Sequence, residues 1–376
     1  MKKELELYIH IPFCVKKCDY CDFLSGPADA GRQREYVEAL KKEIKNCKDY
    51  AAYQVFSVFI GGGTPSILPG EMIGEIMETV REKFELIPNA EISIEANPGT
   101  VDRKKLETYR ESGMNRISFG CQSADNRELK MLGRIHTWED FQESYQMARD
   151  AGFTNINVDL MSGLPGQTLT SWETTLRKIA DLQPEHISAY SLIIEEGTPF
   201  AEKDLNLPDE DVERAMYENT HDILASFGYQ QYEISNYAKN EKECRHNLGY
   251  WKRTEYLGLG LGSSSLVNET RFSNTSDMER YLKNSGNPES IREQQEKLQL
   301  EDQMAEYMIL GLRMMKGVSV TKFKNSFGHE MHEIYEGKLF LCIFMHQEKL
   351  VLDGDRDDLY FYFICHIVIL NCRVGY

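Results

Sequence analysis

Residues 5–21 read Leu5-Glu-Leu-Tyr-Ile-His-Ile-Pro-Phe-Cys14-Val-Lys-Lys-Cys18-Asp-Tyr-Cys21, a strand-like stretch that runs into three closely spaced cysteines. The cysteine spacing is C-x3-C-x2-C. Three thiolates on one short loop can bind three corners of a cubane 4Fe–4S cluster, which leaves the fourth iron without a protein ligand. The stretch therefore predicts a cluster-binding loop at the end of a first strand.

An iron with an open position can bind the amino and carboxylate groups of S-adenosylmethionine (SAM) and pass an electron to its sulfonium. The alternative is a zinc site, which needs a fourth ligand and usually has two close ligand pairs. The candidates for a fourth ligand are His10 and a distant cysteine, and the sequence has no second Cys-x2-Cys pair. The spacing favours the cluster.

Strand and helix patterns alternate from residue 5 to about residue 195. The predicted strands cover 5–11, 55–60, 91–96, 116–120, 155–161 and 186–192, and the predicted helices cover 34–46, 71–84, 103–112, 137–151 and 170–182. Such alternation is typical of a parallel sheet covered by helices. Six units are fewer than the eight of a closed TIM barrel, so we predict an α/β fold with a partial (β/α)6 TIM-like barrel.

Polar residues recur where these strands end. The cysteine loop follows the first strand, Gly61-Gly62-Gly63-Thr64 follows the second, and Glu95, Gln122 and Asp159 lie at or near the ends of the next three. Since chemistry in barrels of this kind sits at the carboxyl ends of the strands, we expect these residues to meet there.

Composition limits the other functions. The formal charge of −17 disfavours nucleic acid as a partner. Nine cysteines in a chain of this size fit a metal or cluster site with ordinary buried thiols better than a disulfide framework. No secretory signal is recognisable, and the longest apolar stretch, 359–370, is shorter than the roughly 20 residues that cross a bilayer. We expect a cytoplasmic protein without an integral membrane segment.

Several motifs together resemble the radical-SAM family of oxygen-independent coproporphyrinogen III oxidases, and within it the HemW branch of haem chaperones. They are the Tyr8–Phe23 stretch, Gly61-Gly-Gly-Thr-Pro65, Glu95-Ala-Asn-Pro98, Ser118-Phe-Gly-Cys-Gln122, Leu132-Gly-Arg-Ile-His136, Asp159-Leu-Met-Ser-Gly-Leu-Pro165 and Ser188-Ala-Tyr-Ser-Leu192. The resemblance extends over about residues 5–335.

The resemblance implies that Cys14, Cys18 and Cys21 bind the 4Fe–4S cluster. It assigns to SAM the residues Tyr8, Tyr20, Gly62, Gly63, Thr64, Glu95, Gln122, Arg134 and Asp159. Strand alternation places Glu95 and Asp159 on the faces opposite their apolar neighbours, where a carboxylate is costly unless it binds something. A structural ion pair remains an alternative for each of them.

The segment His246-Asn247-Leu-Gly-Tyr250-Trp251 matches the HNxxYW signature of HemW-like proteins. A histidine can ligate haem iron, and tyrosine and tryptophan offer flat apolar faces to a porphyrin. By the residues alone, a buried packing histidine is the commoner outcome; the resemblance implies haem binding. Cys244 is a further candidate ligand or a buried structural thiol. By contrast, Gly258-x-Gly260-x-Gly262 lacks the strand–loop–helix context of a nucleotide site and indicates tight packing.

The resemblance separates two functions. The oxidases carry a fourth cysteine two residues after the third cluster cysteine, and here that residue is Phe23. The primary hypothesis is a haem chaperone that delivers haem to haem-requiring acceptor proteins. The alternatives are an oxygen-independent coproporphyrinogen III oxidase and a cluster-bearing scaffold that needs neither ligand. Whether the chain is an enzyme stays open, and a homodimer is a family-level expectation.

We predict three domains: the barrel at 1–200, an α+β extension carrying the HNxxYW motif at 201–290, and a small helical C-terminal module at 291–376. Residues 294–315 have a helical pattern, and 228–237 look like one strand. The tail at about 337–376 departs from the family, which favours an altered or truncated C-terminus, although a lineage-specific tail is an alternative.

Overall fold

The structure is a computed structural model that describes residues 2–48 and 50–335 and the short strand Tyr360–Phe361. Its centre is six parallel strands in sequential order: β1 (Lys3–Ile11), β2 (Tyr53–Gly62), β3 (Leu86–Ala96), β4 (Arg116–Gln122), β5 (Ile156–Ser162) and β6 (His186–Ser191). Sequential parallel order with helical crossovers is the topology of a TIM-like barrel. The six predicted units are confirmed.

Helices connect these strands. They are α1 (Ala30–Asn46), α2 (Gly70–Lys83), α3 (Arg103–Glu111), α4 (Asn126–Met131), α5 (Trp138–Asp150) and α6 (Leu169–Asp181). Most of their starts are fixed locally, since Asp29, Asp102 and Asp125 each accept a backbone hydrogen bond at an N-cap. Thr137 and Thr168 form capping boxes at α5 and α6.

The extension adds strands to both edges of this sheet. After α7 (Glu210–Ser226), the strands β7 (Gln230–Glu233) and β8 (Asn236–Ala238) pair antiparallel beside β6. The chain then crosses through α8 (Arg245–Trp251) to β9 (Tyr256–Leu259), which lies parallel to β1. The outer strands β10 (Ser264–Val267), β11 (Thr270–Asn274) and β12 (Arg292–Lys297) follow, with α9 (Met278–Asn284) and α10 (Pro288–Ile291) between the last two.

Two sequence predictions are wrong here. The single strand expected over 228–237 is a hairpin, β7 and β8. The helix expected over 294–315 begins only at α11 (Leu300–Gly311), because the preceding residues form the edge strand β12 against β11. Pairing with a neighbouring strand overrides the local pattern there.

A small helical module with its own core follows. It contains α11, β13 (Val318–Ser319), α12 (Val320–Phe327) and α13 (Met331–Tyr335), and β13 pairs with β14 (Tyr360–Phe361). Met304, Met308 and Phe323 are among the buried residues of this core. The predictions about the tail at 337–376 otherwise lie outside the described residues, and the three-domain division stays a prediction.

The main core lies between the strands and the helices. On β1, Leu5, Leu7, Ile9 and Ile11 are fully buried in it. The alternate residues of β1–β6 form the opposite side of the sheet, which we call the inner face, and most of them are polar: Glu6, Tyr8, His10, Ser57, Phe59, Glu91, Ser93, Glu95, Arg116, Ser118, Asn157, Asp159, His186, Ser188 and Tyr190. The open end of the inner face is the end at which strands β1–β6 have their carboxyl termini. The closed end is the opposite end, where α8 packs.

Candidate functional site at the open end of the inner face

The cysteine loop lies directly after β1 and is fixed by backbone contacts. Cys14 donates its N–H to the Gly26 carbonyl over 3.0 Å, and Asp19 donates to the Leu132 carbonyl over 3.1 Å. Cys14 is buried, whereas Cys18 and Cys21 are partly exposed. The loop is therefore tied both to its own return segment and to the turn after α4.

The three thiols lie close enough to interact as charges. Burial raises the pKa of Cys14 and of Cys21, and the neighbouring Cys18 raises both further. Among the described residues, no three Cys, His, Asp or Glu side chains converge on a single ion. The donor set itself, three thiols on one loop with C-x3-C-x2-C spacing, suits a cluster, which presents a separate iron to each thiolate.

The glycine loop lies against the cysteine loop. Gly63 donates its N–H to the Ile11 carbonyl over 2.9 Å, and Thr64 donates to the Phe13 carbonyl over 2.7 Å. A Cβ at Gly63 would lie 2.5 Å from that Phe13 oxygen, and Gly62 has a positive φ of 111°. Glycine is therefore required at position 63 for the close approach to the cysteine loop and at position 62 for the backbone conformation.

Glu95 and Asp159 face each other across the open end. Glu95 accepts the Gly62 N–H over 3.0 Å, and Asp159 accepts from Ser118 over 3.0 Å and from Asn157 over 2.7 Å. Burial and the charge of Asp159 raise the pKa of Glu95 to about 8. Burial also raises the pKa of Asp159. Neither carboxylate has an ion pair within 4.0 Å among the described residues, so the geometry disfavours the structural alternative and suits a cationic ligand.

Gln122 and Arg134 complete this end of the sheet. Gln122 has a positive φ of 69°, and its side-chain oxygen accepts from the Tyr190 hydroxyl over 2.8 Å. A non-glycine residue in that conformation is strained, and strain of this kind concentrates at functional sites. Arg134 lies 3.7 Å from the Cys18 sulfur and donates to the Gly120 carbonyl.

The two predicted tyrosines lie on the first strand and in the cysteine loop, since Tyr8 belongs to β1 and Tyr20 lies between Cys18 and Cys21. Tyr8 is hydrogen-bonded to His10 over 3.1 Å, and burial raises its pKa. Tyr20 packs against a small cluster that includes Leu132 and Phe200, and burial raises its pKa as well. Both hydroxyls therefore stay neutral over the physiological pH range.

Sequence reasoning missed one residue that links these parts. Asn97 donates to Thr64 Oγ1 over 2.8 Å and accepts from Arg134 over 2.9 Å, so it ties the glycine loop to the arginine beside the cluster loop. The signal was present in the Glu95-Ala-Asn-Pro98 motif, where only the carboxylate was assigned a role. Tyr190, the partner of Gln122, was missed in the same way.

The HNxxYW residues lie at the closed end, away from the cysteine loop. His246 is only 2% exposed and stacks on Phe59 with ring centroids 5.1 Å apart. Its Nδ1 is 2.7 Å from Ser57 Oγ, and its Nε2 is 3.1 Å from the Tyr250 hydroxyl. Burial, with the charge of Arg116, lowers the pKa of His246 to about 3.

Both ring nitrogens of His246 thus have protein partners, which favours the packing alternative in this conformation; haem ligation stays a prediction. Trp251 is buried beneath the Arg313 guanidinium, 4.3 Å from the ring centroid, and Asn247 is half-buried. Cys244 is fully buried beside Glu91, where burial raises the pKa of its thiol to about 12. That environment favours a structural thiol.

Tight packing accounts for the three glycines Gly258, Gly260 and Gly262, as predicted. Gly260 has a positive φ of 104°, and a Cβ there would lie 2.6 Å from the Tyr36 hydroxyl. Its N–H donates to the buried Glu43 over 2.9 Å. The glycines let β9 and its following turn approach α1.

Comparison with known proteins places this site in a family. Residues 8–179 match the radical SAM superfamily, and residues 298–356 match the HemN C-terminal domain. The heme chaperone HemW of Lactococcus lactis subsp. lactis is 37% identical over 365 residues, which cover 95% of this chain and 93% of that protein. The chain belongs to the HemW family.

Other HemW proteins and one solved structure agree. HemW of Escherichia coli is 43% identical over 265 residues, covering 70% of each chain, and HemW of Bacillus subtilis is 36% identical over 340 residues, covering 88% of this chain and 89% of that one. The structure of the E. coli coproporphyrinogen III oxidase HemN, a radical SAM enzyme, matches with a TM-score of 0.83 at 25% identity, covering 96% of this chain and 87% of that chain. Radical SAM membership implies a 4Fe–4S cluster and SAM. Within the described ranges, no helix has the length and apolar character needed to cross a bilayer.

Proposed function

We propose that this protein is a haem chaperone that binds haem, carries a 4Fe–4S cluster, binds SAM, and delivers haem to haem-requiring acceptor proteins in the cytoplasm. The observation that carries the proposal is the similarity to heme chaperone HemW of L. lactis along almost the whole of both chains. A homodimer, in line with the family-level expectation, is part of the proposal.

The proposed cluster ligands are Cys14, Cys18 and Cys21. The cluster, when bound, supplies an electron, and SAM supplies a sulfonium that can accept it. The chain's own contribution is to position these groups. The proposed SAM contacts are Tyr8, Tyr20, Gly62, Gly63, Thr64, Glu95, Gln122, Arg134 and Asp159. The fit of this set is supported by the close backbone approach at Gly63 and by the two carboxylates, Glu95 and Asp159, for which the described part of the chain offers no cationic partner at hydrogen-bond distance.

Phe23 supports the chaperone over the oxidase. The related oxidases have a cysteine at this position by the resemblance, and here a phenylalanine that is 61% exposed follows the cluster loop. The thiol that distinguishes the oxidases from the chaperones is therefore missing from the open end of this protein.

Titration of the anaerobically reconstituted protein with haemin tests the proposal. We expect a Soret band that saturates near one haem per chain, and no conversion of coproporphyrinogen III to protoporphyrinogen IX when SAM and a reductant are supplied. Turnover without a haem complex would contradict the chaperone proposal and support the oxidase.

The same titration tests the haem motif. We expect His246→Ala to weaken the Soret band, whereas His221→Ala, at an exposed histidine of α7, serves as the matched control. Because His246 is bonded to Ser57 and Tyr250, haem binding at this motif requires α8 to release the ring. An unchanged Soret band in a folded His246→Ala variant would place the haem elsewhere.

A further inference from the structure

A buried guanidinium lies on the inner face where no function has been assigned to it. Arg116 is the first residue of β4 and is only 2% exposed. Its Nε has no hydrogen-bond partner among the described residues. Burying a cation that is poorly paired costs free energy, so a position of this kind calls for a compensating role.

The guanidinium stays charged in this setting. Burial alone would lower the pKa of Arg116, but the groups around it raise that pKa overall. The titratable groups that interact with it come from strands on both sides of β4 and from the α8 segment: Glu91 and Glu95 on β3, Asp159 on β5, His186 on β6, Tyr232 on β7, Cys244 at the N-cap of α8, and His246 on α8. A permanent positive charge therefore lies inside the sheet.

Strand register brings this charge close to the two carboxylates of the open end. Arg116 is paired with Ser93, and Ser118, two residues further along β4, is paired with Glu95 and with Asn157. Two residues along a strand span about 7 Å, and alternate residues share a face. Arg116 therefore lies beneath the Glu95 and Asp159 pair, between the strands that carry them.

The charges around Glu95 act in opposite directions. Asp159 opposes its ionisation, and Tyr8 is the other titratable group that interacts with it. The Gly62 N–H and Arg116 favour its ionisation, and Arg116 does the same for Asp159. Among the described groups that act on Glu95, Arg116 is the one cation. At the short distance that the strand register sets between Arg116 and these carboxyl groups, a unit charge inside a protein changes the pKa of a carboxyl group appreciably.

We propose that Arg116 is a positioning residue for SAM binding, because its buried charge favours the ionised form of Glu95 and Asp159, which is the form that a cationic sulfonium ligand requires. This inference rests on the proposed SAM site. It assigns to the closed end of the inner face an electrostatic role in ligand binding at the open end.

The test is the pH dependence of SAM affinity in the full-length, cluster-loaded protein, measured by anaerobic equilibrium dialysis between pH 6 and 9.5. We expect affinity to rise with pH as Glu95 ionises. Arg116→Gln should shift the midpoint of that rise upward by about one pH unit, which lowers affinity about tenfold below the midpoint and little at pH 9.5. Arg116→Lys, which keeps the charge, should restore most of the original profile.

A profile for Arg116→Gln that matches the unsubstituted protein would overturn the inference, as would Arg116→Lys behaving like Arg116→Gln. Should Arg116→Gln fail to fold, the double variant Arg116→Gln/Glu91→Gln provides a second test. It removes the cation together with a carboxylate beside it and keeps the oxygen that accepts from Cys244 and His246. Because Arg116 acts on Glu95 from the neighbouring strand, the midpoint should still shift upward. An unchanged midpoint in the double variant would then overturn the inference.

Glu95→Gln separates this inference from the proposed SAM site. We expect it to weaken SAM binding and to flatten the pH profile. If Glu95→Gln binds SAM normally, the proposed site is wrong. If it binds weakly while Arg116→Gln, or the double variant in its place, keeps the original midpoint, only the role of Arg116 is wrong.

Discussion

The two ends of the inner face carry similar side chains in different situations. Glu95 at the open end and Glu6 at the closed end both have a pKa raised by burial. Glu95 remains partly exposed beside glycines, whereas Glu6 is fully buried under α8 and accepts from Ser57 over 3.3 Å. The comparison teaches that polar residues on one sheet face indicate a binding site only where the protein leaves them accessible.

The largest expected effect concerns the cysteine loop at the open end. Replacing Cys14, Cys18 or Cys21 by alanine should abolish the 4Fe–4S cluster, since each supplies one of three protein ligands. Iron and sulfide content after anaerobic reconstitution measures the loss. Cys47→Ala is the matched control, because this buried thiol lies at the end of α1 and should leave the iron content unchanged. Stoichiometric zinc in place of iron would favour the rejected zinc site.

The next effect concerns packing at the closed end. Gly249 of α8 lies so close to Glu6 that a Cβ would overlap the Glu6 carboxylate. Gly249→Ala should therefore lower the free energy of unfolding by about 2–3 kcal/mol, measured by urea denaturation. Gly286→Ala, where an added Cβ meets nothing within 4 Å, is the control. Equal stability of the two variants would show that α8 does not pack on Glu6 as described.

At the open end we expect a smaller change in the free energy of unfolding, and here the substitution stabilises the protein. The pKa of Glu95 is raised from 4.5 to about 8, so the folded chain holds this proton more tightly than the unfolded chain. The carboxyl group therefore reduces stability progressively as pH rises from about 4.5 to about 8. Glu95→Gln cannot ionise and should be more stable than the unsubstituted protein by about 2 kcal/mol at pH 9 without SAM, less than half of what the full pKa shift corresponds to, because water screens the partly exposed carboxyl group.

The stability difference between Glu95→Gln and the unsubstituted protein should fall below about 1 kcal/mol at pH 5, where Glu95 is protonated in the folded chain and the pH is close to the pKa of the unfolded carboxyl. Denaturation curves at the two pH values measure it. A Glu95→Gln variant that is less stable at pH 9 would indicate that Glu95 is a structural ion-pair member after all.

Much of the open end could be predicted from the sequence because its signals are local. Period-2 alternation placed Glu95 and Asp159 on the inner face, and the rule that sites lie at the carboxyl ends of strands placed them at the end of the sheet that the cysteine loop follows. Asn97 escaped notice because its role depends on two partners that are distant in sequence, Thr64 and Arg134.

The closed end could not be predicted in this way. The position of His246 depends on α8 crossing between β8 on one edge of the sheet and β9 on the other, which is a long-range property of the fold. The strand β12 has the polar sequence Arg292-Glu-Gln-Gln-Glu-Lys297, which carries no strand signal of its own and becomes a strand by pairing with β11.

Low-temperature EPR of the reduced, anaerobically reconstituted protein, recorded with and without SAM, tests the central claim most directly. The account predicts the signal of a reduced four-iron cluster whose g-values change when SAM is added. A protein that gives no such signal, or one whose signal SAM leaves unchanged, would contradict a cluster held by three cysteines with one iron open to SAM.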